Sequence, residues 1–126
     1  MRKVSLVALI WITFTLFFGE SRADFRIITT TPDIRSLVET VTQGLNDYSV
    51  ESLARGTQDP HYLESKPSFM IKVNRADLVI STGLELEEGW LPNIIQGARN
   101  PKVNPGTPGF LELGPQLNPL EIPGKS

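Results

Sequence analysis

Cysteine is absent from the 126 residues, and histidine occurs once, as His61. Without cysteine, packing rather than disulfides must hold the fold, even in an exported chain. The 12 Lys and Arg are scattered rather than gathered into a stripe, which argues against a nucleic-acid surface. No G-x-G-x-x-G or Walker pattern occurs, so a phosphate-cradling loop is excluded. Paired carboxylates are present, but no nucleophile or oxyanion loop accompanies them, and a hydrolytic site is not indicated. Internal repeats and low-complexity segments are also lacking.

The apolar run VSLVALIWITFTLFF (Val4–Phe18) is shorter than the ~20 residues a membrane-spanning helix needs. Arg2 and Lys3 precede it, and GESRA follows, with small Ser21 and Ala23 at the minus-three and minus-one positions of a cut before Asp24. That is the pattern of a secretory signal peptide over residues 1–23; an uncleaved anchor is the alternative reading. With no cysteine near the cut, lipid attachment is excluded, and no membrane insertion is expected after cleavage. Losing Arg2, Lys3, Arg22 and Glu20 would take the formal net charge from −2 to −4. Mild acidity suits an exported protein that meets cations.

From Asp24 onward, strand and helix patterns alternate. FRIITTT (Phe25–Thr31) is β-branched and reads as a buried strand. Thr31 then offers an N-cap, Pro32 suits the first helical position and Asp33 the positive end of the dipole. Ile34, Leu37, Val38, Val41 and Leu45 recur at helical spacing, and Gly44 marks the stop. Tyr48–Ala54 reads as a second strand. A helix is expected from Pro67, with Ser65 as its cap and Met70, Val73 and Ala76 inward. Asp77–Thr82 is apolar enough for a central strand. Gly83 leads into LELEEGWLPNIIQGA, a helix whose pattern Gly89 and Pro92 interrupt, so that Pro92 should begin a fresh helical segment. Gly109–Gly114 is a fourth candidate strand. This order implies an α/β fold, a parallel sheet of about four strands covered by helices on both faces. NPKVNPGTPG (100–109) and residues 115–126 are dense in Pro and Gly and read as loop or linker, so the chain reads as truncated after one α/β unit, 24–114.

Ligands of open parallel sheets bind at the carboxyl ends of the strands. GTQDPHYLESKPS (Gly56–Ser68) follows the second strand and so places His61 at that edge, behind the stiffening Pro60. Neutral imidazole is a common metal ligand, and Asp59 or Glu64 would either join it or accept the hydrogen of its other ring nitrogen. A metal site needs three or four ligands, and one histidine supplies one. Glu85, Glu87 and Glu88 are better explained as a solvated helix start than as a second site. Trp90 reads as core or as a contact between lobes.

Together these segments resemble the metal-ion class of solute-binding proteins of ABC transporters, the zinc and manganese binders. The residues that carry the likeness are Asp59, Pro60, His61, Glu64, Pro67 and Ser68, then Ala76, Asp77, Leu78 and Val79, then Gly83, Leu84 and Glu87. RIITTTPDIRSLVETV matches the opening unit of that class. The resemblance implies two α/β lobes joined by a long helix, with the metal in the cleft, and His61 as the ligand from the N-terminal lobe. It implies a periplasmic receptor that hands zinc or manganese to a membrane permease. The divalent ion is then cargo, with no organic cofactor, no nucleic-acid partner and no enzymatic step. Phe69 stands where the class often has aspartate, so helix-start chemistry should differ there. An exported adhesion module on the same fold is the alternative, and a metallohydrolase built on Asp59, His61 and Glu64 ranks last.

Overall fold

A computed structural model describes residues 24–117. The expected signal segment 1–23 and most of the expected linker lie outside those residues. The order is β1 (Phe25–Thr29), α1 (Pro32–Val41), β2 (Tyr48–Ser52), α2 (Pro67–Asn74), β3 (Leu78–Ser81), α3 (Leu91–Ala98) and β4 (Phe110–Glu112). Single 3-10 turns follow α3 and β4, at Pro101–Val103 and Gly114–Gln116.

The strands form one sheet in the order β2-β1-β3-β4, with every pairing parallel. Ile27 lies beside Val50 on one side and Leu78 on the other, and Ser81 lies beside Glu112. Because side chains alternate along a strand, neighbouring residues feed opposite faces. Ile28 and Val79 face a cluster with Val73, Trp90, Leu91, Ile94 and Ile95, beneath α2 and α3. Ile27 and Ile80 face a smaller cluster with Ile34 and Val38 of α1. The sheet is thus covered on both faces, as the alternation of elements predicts.

Local chemistry explains where the helices begin and end. Thr31 accepts a hydrogen bond from the Ile34 amide at 3.5 Å, and Pro32 opens α1, as expected. α2 begins at Pro67 behind Lys66, which makes no side-chain cap. Ser65 does not cap it; its hydroxyl donates to the Trp90 carbonyl at 3.2 Å instead. The end of α2 is closed by Asn100, a residue read in sequence only as loop. Its buried amide donates to the Val73 and Ala76 carbonyls at 3.0 and 2.8 Å, replacing partners those carbonyls lack at a helix terminus.

The apolar face of α1 is only partly buried: Ile34 and Val38 reach the sheet, while Leu37 and Leu45 are exposed and Val41 is 83% exposed. Ile34 and Val38 form one i,i+4 row that fills the seam on the narrow sheet; Val41 falls in the last turn, beyond that cluster. One expectation needs correction: Leu84–Trp90 forms consecutive turns rather than helix. Gly83, Leu84 and Glu85 all have positive φ, of 74°, 54° and 70°, which the α-helix does not accommodate.

Candidate functional site

His61 lies in the connection between β2 and α2, at the carboxyl edge of the sheet. The loop carries few main-chain ladder bonds, and side chains from elsewhere hold it. Leu63 is buried in the larger core cluster. The fully buried Trp90 indole donates to the Pro60 carbonyl at 2.7 Å, and Ser65 ties back to the Trp90 carbonyl. Trp90 is therefore a core residue that also braces the residue before His61. An indole N–H taken out of water must find a partner, and here it finds this loop.

Asp59 orients the imidazole. One carboxylate oxygen, Oδ1, accepts from the His61 backbone amide at 3.0 Å and meets Nδ1 at 2.8 Å. The His61 amide, then its ring, holds the Asp59 carboxyl below its ordinary value of 3.8. An ionised carboxylate only accepts, so in the neutral ring the hydrogen sits on Nδ1 and the lone pair on Nε2. The ring is 58% exposed. A carboxylate behind an imidazole is the arrangement that fixes tautomer and raises basicity wherever a histidine binds a metal.

Glu64 does not join this pair. Its carboxylate is largely exposed and turns to Lys66 at 3.8 Å. Among the described residues, no group of three or more His, Cys, Asp or Glu side chains is placed to hold a metal ion. His61 and Asp59 are brought together, and Glu64 stays apart from them.

The acidic segment after β3 contains a residue that sequence reasoning misplaced. Glu87 is 3% exposed, not a solvated helix start. It accepts from the Thr82 amide at 2.8 Å, the Gly83 amide at 3.0 Å and the Thr30 hydroxyl. Thr30 and Thr82 directly follow β1 and β3, the two central strands, whose connections run to opposite sides of the sheet. That crevice is where open α/β sheets receive a ligand; here the protein's own carboxylate fills it. The contact joins residues 57 apart, which no local spacing reveals. The only sequence signal was polar threonine at the ends of two otherwise apolar strands.

Four parallel strands with a carboxylate-oriented histidine at their carboxyl edge define an open α/β binding lobe. A family model described as zinc-uptake complex component A, periplasmic (ZnuA), matches residues 27–120. The chain belongs to the ZnuA family. A crystal structure of ZnuA is 26% identical, with a TM-score of 0.54, over 61% of this chain and 28% of that one. The periplasmic zinc-binding protein TroA from Treponema pallidum is 22% identical, with a TM-score of 0.56, over 73% of this chain and 29% of that one. A Mn-bound periplasmic metal-binding protein from Candidatus Liberibacter asiaticus is 21% identical, with a TM-score of 0.59, over 79% and 34%. The chain therefore spans about a third of the length of these solved relatives, and the latter two likenesses speak to the fold.

Proposed function

We propose that this lobe captures a divalent transition metal, zinc or manganese, for an ABC importer, and that His61 Nε2 is the ligand it contributes. The observation that carries the reading is the Asp59–His61 pair, which leaves one ring nitrogen free on an exposed, braced loop. Family membership and the metal-binding relatives support the choice of cargo.

In this reading the metal is carried rather than used, and no covalent bond changes. A zinc–imidazole bond of ~2.0–2.1 Å forms at Nε2, and further ligands come from outside residues 24–117 to complete three or four. Selectivity between the metals then lies in those other ligands and their geometry. Export to the periplasm on a signal peptide over residues 1–23, and delivery to a membrane permease, complete the proposal.

Zinc and manganese titrations of the native protein and its His61→Ala and Asp59→Ala variants test it. Loss of His61 should abolish binding, and loss of Asp59 should weaken it about 10–100-fold, as for other outer-shell partners of a metal-bound histidine. Unchanged zinc and manganese affinity in His61→Ala would refute the assignment.

A further inference from the structure

We propose that a cavity at the carboxyl ends of β3 and β4 binds a small organic cation with an apolar body, of the alkylammonium class. The cavity holds about 590 Å³ and includes neither His61 nor Asp59 among its lining residues; its size lies within the ~300–1,000 Å³ of small-molecule sites. Leu91, Ile95 and Phe110 supply apolar walls, Glu87 a buried carboxylate and Glu85, Glu88 and Glu112 exposed ones, and among the described residues no basic side chain lines it.

The polar group that asks for a ligand is Ser81. It is 1% exposed, and its hydroxyl makes no hydrogen bond. Alternation along β3 puts Ser81 on the same face as Val79, toward α3, whose Leu91 and Ile95 form the cavity wall. A buried hydroxyl without a partner is destabilising, so a ligand that donates to it or accepts from it gains by doing so. Glu112 is its neighbour across the β3–β4 ladder. The Glu112 carboxylate leans over the turn, with Oε1 3.7 Å from the point a Cβ on Gly83 would occupy. None of Glu85, Glu88 and Glu112 forms an ion pair among the described residues.

These features select among ligands. Three unpaired carboxylates repel an anion. A neutral apolar molecule would leave the buried Ser81 hydroxyl without a partner and draw nothing from the exposed Glu112. A bare metal ion needs converging oxygens, and the described carboxylates do not converge on one point. An alkylammonium group meets all the requirements: its N–H groups donate to Ser81 Oγ and to Glu112, and its chain lies along Leu91, Ile95 and Phe110. Glu87 also lines the cavity, but its carboxylate is held by the Thr30 hydroxyl and the Thr82 and Gly83 amides and serves first to fix the turn.

The test is titration of the ¹⁵N-labelled full chain with n-hexylammonium chloride, followed by amide chemical shifts, with hexan-1-ol and sodium hexanoate as controls. Saturable shifts centred on Ser81, Gly83 and Phe110 are expected with hexylammonium alone. Glu112→Gln should weaken that binding about tenfold, the loss of one charge-assisted hydrogen bond. Ser81→Ala, which removes only an unpaired hydroxyl and keeps the fold, should weaken it severalfold. Shifts that fail to saturate, hexanol binding as tightly as hexylammonium, or unchanged affinity in Glu112→Gln would each overturn the proposal.

Discussion

Replacing Glu87 by alanine should destabilise this lobe more than any other change of a single acidic residue. The carboxylate satisfies the Thr82 and Gly83 amides and the Thr30 hydroxyl at once. Removing it orphans groups at the ends of both central strands. Each buried orphan costs about 1–3 kcal/mol. The Thr82 amide is only partly buried and recovers water, whereas Gly83 and Thr30 are buried. Counting those two gives a loss of about 2–6 kcal/mol. A domain of this size has about 5–15 kcal/mol in all, so much of its stability is at stake. Glu87→Gln keeps one accepting oxygen but sets an NH₂ against a donor, and should cost about 2 kcal/mol. Urea unfolding followed by far-ultraviolet circular dichroism measures both. A double-mutant cycle with Thr30→Val should show coupling of about 1 kcal/mol or more between the two side chains. A Glu87→Ala loss below about 1 kcal/mol would refute the reasoning, because it would mean that solvent reaches the crevice freely.

Other outcomes follow from single contacts. Asp77 accepts from the Arg26 amide at 3.1 Å and from Lys102 Nζ at 3.0 Å, which together hold its carboxyl below the ordinary 3.8. A lowered folded value stabilises the fold above the ordinary one, and that share is lost as pH falls through the folded value. Wild type should therefore lose its advantage over Asp77→Asn below about pH 4, read as urea midpoints from neutral to acid conditions. Gly109→Ala would set a Cβ 2.3 Å from the Lys102 carbonyl oxygen and 2.9 Å from that of Asp77. Both are main-chain atoms, so thermal melting should show a loss of about 1–3 kcal/mol. Gly97→Ala meets only the flexible Met70 side chain and should cost less in the same assay.

Much of the fold was legible because its signals are local. Alternating strands and helices, Thr31 with Pro32 at the start of α1, and the apolar run at Leu78–Ile80 each point to the element found there. His61 was placed at the carboxyl edge by the same logic, since the loop after β2 has nowhere else to go. What sequence could not show were contacts made at a distance. Glu87 looks like any acidic residue near a helix start until Thr30 is brought beside it. Asn100 looks like loop until the last carbonyls of α2 come within reach. The helical spacing of Leu37, Val41 and Leu45 marked a face correctly but not how far the sheet extends beneath it. Periodicity reports which residues share a side; burial depends on what lies opposite.

The strand order also sets a timetable. β1 is made first yet lies in the interior of the sheet, paired with β2 and β3. Every neighbour is parallel, so no strand can close on the next through a tight hairpin. Until Leu78–Ser81 has been synthesised, one edge of β1 keeps its amides and carbonyls unpaired beside Ile27 and Ile28. Such an edge is a template for strands of other molecules. A nascent or nicked product ending ahead of Ser81 should therefore self-associate, whereas one that extends past it can bury β1 from both sides.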